Sequence, residues 1–316
     1  MITLNISALQ RLEQHLIEQL ALKPNQLTRL FHGRGRFYLG LEQITVDWVN
    51  QTMLVQLFKC YDGPSLERLQ SRLRAISLTQ EWQQAGGEHI VIQHRYLADN
   101  DLDVVVGELI ERQIGYENGL AYHLTLGKNQ NMGLFLDMKA GREWVKQHSH
   151  GKKVLNLFAY TCGFSVAAVA GGASSVVNID MAKGALATGR KNHQLNPDHD
   201  AKVHFFAHDI FRSWGKIKKY GPYDLIVIDP PSFQKGSFAL TKDYQKILRR
   251  LADLQTADGQ VLACVNAPDV DSHFLIDSMA THAPQFRFIE RLDNPSAFVD
   301  SNPESALKVL HFASQV

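Results

Sequence analysis

Strands and helices alternate along the second half of the chain, and this pattern restricts the fold more than any other feature of the sequence. Short apolar runs predict strands at about 153–158, 175–180, 202–206, 224–229, 260–265, 286–291 and 306–313. Helical patterns lie between them, at about 163–170, 182–193, 241–255 and 271–281. Such alternation implies right-handed βαβ units and a parallel sheet. The last two strands lack a helix between them, so we expect an antiparallel final strand.

A glycine-containing turn follows the first of these strands. The apolar run that begins at Val154 ends at Phe158, the polar turn Tyr160-Thr161-Cys162 precedes Gly163, and small residues then begin a helix. In α/β folds, a strand, such a turn and a helix start hold nucleotide-like ligands at the carboxyl ends of the strands. The full G-x-G-x-x-G pattern is absent, so this segment alone is equally typical of a plain strand–helix connection.

Acidic residues end the next three predicted strands. Asp180 lies 17 residues after Gly163, close to the ~20-residue offset at which a carboxylate binds ribose hydroxyls. Asp209 ends the following strand, and Asp229 ends the next one in the sequence Asp-Pro-Pro-Ser-Phe. The carboxyl ends of parallel strands meet at one edge of a sheet, so these carboxylates are expected to lie near the glycine turn. Helix capping is the structural alternative for a strand-end aspartate.

Together these motifs resemble those of the class I S-adenosylmethionine-dependent methyltransferases. The turn Asn-Leu-Phe-Ala-Tyr-Thr-x-Gly-Phe at 156–164 and Asp-Pro-Pro-Ser-Phe at 229–233 are most similar to the large-subunit ribosomal RNA methyltransferases, a group with 5-methylcytosine and N7-guanine enzymes of 23S rRNA. The resemblance runs from about residue 104 to the C-terminus. It implies an α/β, Rossmann-like class I methyltransferase sheet with an antiparallel last strand, preceded by a small α+β domain. It also implies S-adenosyl-L-methionine as cofactor.

The resemblance assigns cofactor-binding roles. Asp180 is expected to accept hydrogen bonds from the ribose hydroxyls and Asp209 from the adenine amino group, with Ile210 packed on the ring. Residues 132–142 resemble the family's Gly-x-Phe-x-Asp segment and its following arginine, in which Phe135 covers the cofactor and Arg142 pairs with the methionine carboxylate or with Asp137. The expected cofactor residues are Phe135, Asp137, Arg142, Phe158, Tyr160, Thr161, Gly163, Asp180, Met181, Asp209, Ile210 and Asp229.

The Asp-Pro-Pro-Ser-Phe segment is predicted to receive the acceptor. Pro230 and Pro231 fix the backbone and remove two donors, which leaves carbonyls that can face an acceptor amine or ring edge. Phe233 offers a stacking face for a base lifted out of its helix. A Pro-Pro loop with a core phenylalanine is the structural alternative. We expect Asp229, Pro230, Pro231, Phe233 and Asn266 to form the catalytic set.

The positions of the cysteines bear on which atom is methylated. Methylation of cytosine carbon 5 requires a thiolate that first adds to carbon 6. Relatives with this chemistry place a cysteine seven residues after a glycine, where this chain has Gly259 and Asn266. Cys264 lies inside the predicted strand, as expected of a small core residue. A base nitrogen, as in guanine, is therefore favoured over cytosine carbon 5. Cys162 replaces a glycine of the family's turn and is expected to narrow the methionine pocket slightly.

The first part of the chain is predicted to form a separate domain. Residues 1–125 form a small α+β domain and 126–316 the methyltransferase domain, and a helix at 7–22 begins with Ser7 and Gln10 as a capping box. Arginines alternate with glycines and aromatic residues at 28–38, a composition used to bind phosphates and stack bases. A solvated hairpin is the alternative for that segment. The candidate RNA contacts are Arg29, Arg34, Arg36 and Lys235.

Composition narrows the remaining functional classes. The net charge is only +1, so RNA binding depends on local patches. The 3 cysteines and 14 histidines show neither disulfide nor metal-ligand spacing, so no metal is expected. No membrane span or signal peptide is recognised, which favours the cytoplasm.

RNA, in particular 23S rRNA, is the expected partner, with the choice between monomer and homodimer open. The alternatives are a methyltransferase of the same fold acting on protein or a small molecule, and a non-catalytic RNA-binding protein with a degenerate cofactor site. The second alternative is motivated by Cys162 and by the missing nucleophile.

Overall fold

The chain forms two compact units. The computed structural model describes residues 1–97, 101–197, 200–231, 233–234 and 238–315. The first unit comprises Met1–Leu136 and Ser296–Pro303, and the second comprises Asp137–Pro295 and Glu304–Val316. This division differs from the predicted boundary between residues 125 and 126, because the first unit extends to Leu136 and includes a segment close to the C-terminus.

The first unit is an α+β fold built on a five-stranded sheet. Its strands are β1 Thr28–His32, β2 Ile44–Val49, β3 Thr52–Leu57, β4 His89–His94 and β5 Leu102–Val106, in that spatial order. Only β3 and β4 run parallel. The helices are α1 Ile6–Ala21, α2 Gly63–Ile76 and α3 Gln80–Gln84, and the strands β6 Arg112–Glu117 and β7 Leu120–Thr125 form a separate hairpin.

Helix α1 buries a leucine stripe against this sheet. The fully or almost fully buried side chains are Leu9, Leu12, Leu16 and Leu20, at the spacing of an amphipathic helix. The helix begins one residue earlier than predicted, because Asn5 is its N-cap: its Oδ1 accepts a hydrogen bond from the Ser7 amide at 2.7 Å. The predicted capping box at Ser7 is therefore wrong.

The second unit contains a seven-stranded sheet. Its strands are β8 Lys153–Leu157, β9 Ser175–Asp180, β10 Lys202–Ala207, β11 Tyr223–Ile228, β14 Gln255–Val265, β15 Phe286–Arg291 and β16 Lys308–Ser314. Two short strands, β12 Phe233–Gln234 and β13 Phe238–Ala239, pair as a hairpin. The spatial order is β10-β9-β8-β11-β14-β16-β15. Strand β16 runs antiparallel to both neighbours, which confirms the predicted Rossmann-like sheet with its reversed last strand.

Helices cover this sheet. They are α4 Lys139–Gln147, α5 Gly163–Ala170, α6 Lys183–Leu195, α7 Trp214–Tyr220, α8 Leu240–Leu248, α9 Leu251–Leu254 and α10 Ser272–His282. The single helix predicted at 241–255 is in fact two, α8 and α9, with Arg249 and Arg250 between them. None of the described helices has the length and apolar character that a membrane crossing requires.

Candidate functional site

Four neighbouring strand ends define the candidate site in the second unit. Strands β10, β9, β8 and β11 are parallel and adjacent in that order, whereas their order along the chain is β8, β9, β10, β11. The chain order therefore reverses between β8 and β11, and ligands of open α/β sheets bind at the carboxyl ends of the strands beside such a switch point. Asp209 follows β10, Asp180 ends β9, the glycine turn follows β8, and Asp229 follows β11.

The turn after β8 has an unusual backbone. Phe158, Tyr160 and Cys162 have φ angles of 58°, 48° and 64°, in the left-handed region that residues other than glycine rarely adopt. Such conformations persist only where the surrounding structure holds them, and they cluster at binding sites. Side chains help to hold this turn: Asp180 Oδ2 accepts from the Tyr160 amide at 2.8 Å, and Asn192 Nδ2 donates to the Thr161 carbonyl at 2.9 Å.

Cys162 lies beneath this turn. Its side chain is fully buried in a small cluster with Ala159 and Leu186, and it packs against Gly189 of α6, where a Cβ would collide with the sulfur. Burial, with a smaller contribution from Asp180, raises the pKa of the thiol. The expectation that Cys162 narrows the methionine pocket is therefore not met, because the sulfur faces α6 and is part of the core.

The two strand-end aspartates organise the backbone around them. Asp180 uses both carboxylate oxygens, since Oδ1 also accepts from the Ala182 amide at 2.7 Å. Asp209 caps the short helical turn that follows it, with Oδ1 accepting from the Phe211 amide at 2.8 Å. Capping, the structural alternative for Asp209, is thus present. Each carboxylate oxygen can accept two hydrogen bonds, so both groups keep the capacity to accept from a ligand.

The residues that follow these aspartates differ in exposure. Ile210 is 4% exposed and belongs to the main core of the second unit, whereas Met181 is 48% exposed. An apolar side chain that covers a planar ring needs surface to offer. The geometry therefore favours Met181 over Ile210 for packing on an adenine ring, and the role given to Ile210 remains a prediction.

Asp229 lies in an electrostatic cluster with Asp137 and Arg142. Arg142, on α4, is 4% exposed, and Asp229 is partly buried directly after β11. Burial and the negative charge of Asp137 raise the pKa of Asp229 to about 7, and Arg142 opposes this change. The negative charge of Asp137 thus disfavours ionisation of Asp229, and a cationic ligand group at this place would favour it.

The acceptor side of the site is partly described. Pro230 is buried and Pro231 is exposed. The side chain of Phe233 and the whole of Lys235 lie outside the described residues, so their roles remain predictions. Asn266 is exposed immediately after β14. Phe135, which belongs to the first unit, is 38% exposed, and its contact with a cofactor also remains a prediction.

Cys264 is a core residue, as predicted. Its side chain is fully buried, and burial, reinforced by Asp229 and Asp137, raises the pKa of its thiol well above the ordinary value. Because the thiolate is the nucleophilic form, this environment opposes covalent catalysis. Tyr244 of α8, which no local pattern singled out, lies beside it: its hydroxyl donates to the Cys264 carbonyl at 3.2 Å and to the Ile228 carbonyl at 3.3 Å.

The three candidate arginines of the first unit have different surroundings. Arg29 forms an ion pair with Asp47 and lies 4.6 Å from the centroid of Phe298; its side chain is only 12% exposed. Arg34 and Arg36 are exposed, and Arg36 lies 3.4 Å from Asp300. Arg29 is therefore mainly structural, while RNA contacts by Arg34 and Arg36 remain predictions.

A buried polar network beneath the site was not predicted. Asn156 of β8 donates to Asn178 of β9 at 3.0 Å, and Asn178 donates to Ser165 Oγ at 2.9 Å. Ser165 Oγ lies 2.9 Å from His193 Nε2, and all four side chains are buried. The network links two strands of the site to α5 and α6. Asparagines at the centres of apolar strands were the available signal in the sequence.

Comparisons with known proteins agree with this fold. The family model described as S-adenosylmethionine-dependent methyltransferase matches residues 28–313. YwbD of Bacillus subtilis (strain 168), provisionally named a ribosomal RNA large subunit methyltransferase, is 31% identical over 256 residues, covering 76% of this chain and 60% of that protein. Ribosomal RNA large subunit methyltransferase I of Aeromonas salmonicida (strain A449) is 35% identical over 125 residues, covering 39% of this chain and 32% of that protein. The chain thus spans less than two thirds of the length of these relatives.

A solved structure extends the likeness to nearly the whole chain. SMU.776, provisionally described as a methyltransferase and complexed with SAH, has a TM-score of 0.84 at 24% identity, covering 99% of this chain and 83% of that chain. At this identity the likeness shows the fold.

Proposed function

This chain belongs to the S-adenosylmethionine-dependent methyltransferase family, and we propose that it transfers a methyl group from S-adenosyl-L-methionine to a base of ribosomal RNA. The observation that carries the proposal is the row of polar groups along four adjacent strand ends, β10-β9-β8-β11. The large-subunit rRNA methyltransferase names of its relatives support the choice of substrate.

The order of these strand ends matches the order of the chemical groups in the cofactor. Asp209 after β10 would hold the adenine, and Asp180 at the end of β9 would accept from the ribose hydroxyls. The strained turn after β8, which Asp180 and Asn192 hold in place, would receive the methionine end. The methyl group would then face Asp229 after β11. An extended ligand of this kind needs a polar group at each strand end, and each of the four strand ends carries one.

Electrostatics also fit the cofactor. The α-ammonium group of methionine carries the positive charge that the excess of carboxylate at Asp137 and Asp229 requires, while Arg142 suits its carboxylate. When bound, the cofactor supplies an already activated methyl group. The protein therefore has to align the acceptor with that methyl and exclude water. Burial and Asp137 disfavour the ionised form of Asp229 by raising its pKa, and a cationic group beside it would favour that form.

The acceptor is proposed to be a nitrogen of the base, with guanine favoured over carbon 5 of cytosine. Cys264 is buried and held as a thiol, and Cys162 is buried against Gly189, so neither is suited to attack a pyrimidine ring. Asp229 accepts a hydrogen bond from the acceptor edge, and Asn266, exposed at the next strand end, orients the base. Phe233 is proposed to stack on it.

The remaining proposals concern the setting of the enzyme. We place it in the cytoplasm, acting on 23S rRNA, with the first unit as a candidate RNA-binding module through Arg34 and Arg36. Both arginines are exposed, whereas Arg29 is engaged with Asp47. The carboxylate cluster and the strained turn weigh against a degenerate cofactor site, since neither contributes to the stability of a protein that only binds RNA.

The proposal is tested by two measurements on the purified protein. Calorimetry with S-adenosylmethionine should show one site, weakened by Asp180→Ala. Transfer of labelled methyl should occur to large-subunit RNA from a strain that lacks the gene, and Asp229→Ala should reduce it. Binding without transfer to RNA, but with transfer to protein in RNA-depleted extract, would favour a protein substrate. Absence of cofactor binding would leave the non-catalytic alternative.

A further inference from the structure

Cationic side chains concentrate in two segments of the second unit. Residues 202–220 and 240–250 contain nine lysines and arginines and only two aspartates. These segments therefore carry a charge of +7, although the whole chain carries only +1. The remainder of the chain is net negative, so these two segments favour the approach of a polyanion.

Aromatic rings lie between these cations. Phe211 and Trp214 meet edge to face with their centroids 6.2 Å apart. Lys246 of α8 lies 5.6 Å from the Phe211 centroid, and Arg250, which directly precedes α9, lies 5.8 Å from the Trp214 centroid. These contacts bring the cations beside the two rings at and just before the start of α7. We call Phe211, Trp214, Lys216, Lys219, Lys246 and Arg250 the cationic–aromatic surface.

The rings of this surface are only partly buried, and its cations reach solvent. Phe211 and Trp214 are of intermediate exposure, while Lys216, Lys219, Lys246 and Arg250 are exposed. Lys216 of α7 also reaches the neighbouring edge strand β10, where its Nζ lies 4.1 Å from the centroid of Phe206. Cations beside accessible rings are the combination with which proteins bind single-stranded nucleic acid, through phosphate neutralisation and base stacking.

Carboxylates pair with some cations of these segments: Asp209 with Arg212, Asp243 with Lys246, and Asp253 with Lys218. Asp209 accepts from the Phe211 amide at 2.8 Å and lies at the proposed cofactor site. Asp243 accepts from the Ala239 amide and from Lys246 Nζ, both at 2.7 Å. The side chains of Lys216, Lys219 and Arg250 have no carboxylate partner among the ion pairs of the described residues.

This surface lies next to the candidate site. Asp209, after β10, directly precedes the turn that holds Phe211, and the hydroxyl of Tyr244, on α8, lies 3.3 Å from the carbonyl of Ile228, the residue before Asp229. A nucleotide strand on this surface is therefore close to both the adenine end and the acceptor end of the proposed site.

We infer that the cationic–aromatic surface binds the single-stranded RNA that flanks the target base. The lysines and Arg250 neutralise phosphates, and Phe211 and Trp214 offer stacking faces to the bases. The inference rests on the proposed function for the identity of the polyanion. An acidic protein segment would also be attracted by the charge, but it would make no use of the paired rings.

The test compares two charge-reversed proteins. Lys219→Glu with Arg250→Glu changes the surface, and Lys153→Glu with Arg287→Glu makes the same charge change on β8 and β15 of the same unit, where both side chains are exposed. Affinity for a fluorescein-labelled single-stranded RNA oligonucleotide is measured by anisotropy as salt is varied. For a single strand, the plot of log K against log salt becomes shallower by about 0.7 for each phosphate contact that is lost.

We expect the slope of the surface variant to be shallower than that of wild type by about 1.4. Its affinity at low salt should fall at least about tenfold, whereas the affinity of the control should stay within about threefold of wild type. Trp214→Leu should weaken binding by about tenfold and leave the slope unchanged. Equal affinities and slopes for the two charge-reversed proteins would overturn the inference, as would a wild-type protein that does not bind the RNA.

A second readout separates this inference from the proposed function. Calorimetry with S-adenosylmethionine should give the same affinity for all these proteins, since none of the altered residues belongs to the cofactor site. RNA binding that depends on the surface, without methyl transfer to ribosomal RNA, would refute the proposed function and leave the inference standing. Methyl transfer by the surface variant at the wild-type kcat/KM would refute the inference and leave the function standing.

Discussion

Asp229→Asn is expected to stabilise the protein against unfolding while removing a group proposed to act in catalysis. Burial and Asp137 raise the pKa of Asp229 from 3.8 to about 7 in the folded state. Between these two values the unfolded chain is ionised and the folded chain is protonated. The free energy of unfolding therefore falls as pH rises through this range, and the loss is complete above pH 7.

The magnitude follows from the size of this pKa change. Each pH unit in the range costs about 1.4 kcal/mol of unfolding free energy, so the shift corresponds to about 4 kcal/mol at pH 8 and less than about 2 kcal/mol at pH 5. Asp229 is only partly buried, and access of solvent reduces these values to about half. Asparagine has a similar shape without the charge, and Asp229→Asn should remove most of the penalty.

Urea unfolding at pH 5 and pH 8, followed by circular dichroism, measures this effect. The gain in stability of Asp229→Asn over wild type should be larger at pH 8 than at pH 5 by about 1–2 kcal/mol. Asp277→Asn, at an exposed position on α10, is the control and should show no such difference. A gain that is the same at both pH values, or a loss at pH 8, would refute the proposed electrostatic strain.

Three further predictions concern the packing and binding roles of single residues. Gly189→Ala should destabilise the protein by about 1–3 kcal/mol because the new methyl group collides with the Cys162 side chain. Gly184→Ala, on the same helix with open space around it, should be neutral or stabilising. Urea unfolding in a Cys162→Gly background should show a smaller penalty for Gly189→Ala, because only the Thr161 backbone then remains near the new methyl group. Asn178→Leu should lower the free energy of unfolding by about 1–3 kcal/mol for each buried polar neighbour that it leaves unbonded, and a thermal midpoint equal to that of wild type would contradict this. Asp180→Ala should weaken S-adenosylmethionine at least about tenfold by calorimetry, because it removes a charged acceptor and also releases the turn after β8.

The parts of the fold that could be predicted are those with a strong local signal. Apolar runs located the strands β8, β9 and β11, and the reversal before β16 followed from the absence of a helical pattern between the last two strands. Helix α7 escaped prediction because its short sequence, Trp214–Tyr220, has a single buried residue, Ile217. The break between α8 and α9 depends on packing, since Arg249 and Arg250 interrupt no apolar periodicity.

For the candidate site, sequence reasoning found the strand-end acids but not what surrounds them. The offset from Gly163 identified Asp180, yet the hydrogen bond that its Oδ2 accepts from the Tyr160 amide depends on the neighbouring positions of β8 and β9. Gly189, against which Cys162 packs, lies on α6, so no local pattern around Cys162 reveals this contact. The same limit applies to the cationic–aromatic surface, which joins two segments that are separated along the chain.

The most direct test of the proposed methyl transfer to ribosomal RNA is a map of methylated nucleotides in 23S rRNA from cells with and without this gene, measured by mass spectrometry. One methylated base nitrogen should be lost in the deletion strain. Wild-type protein should restore it, whereas Asp229→Ala and Asp180→Ala should not. An unchanged set of methyl marks would contradict ribosomal RNA as the substrate, and a lost mark on carbon 5 of cytosine would contradict the assignment of the acceptor atom.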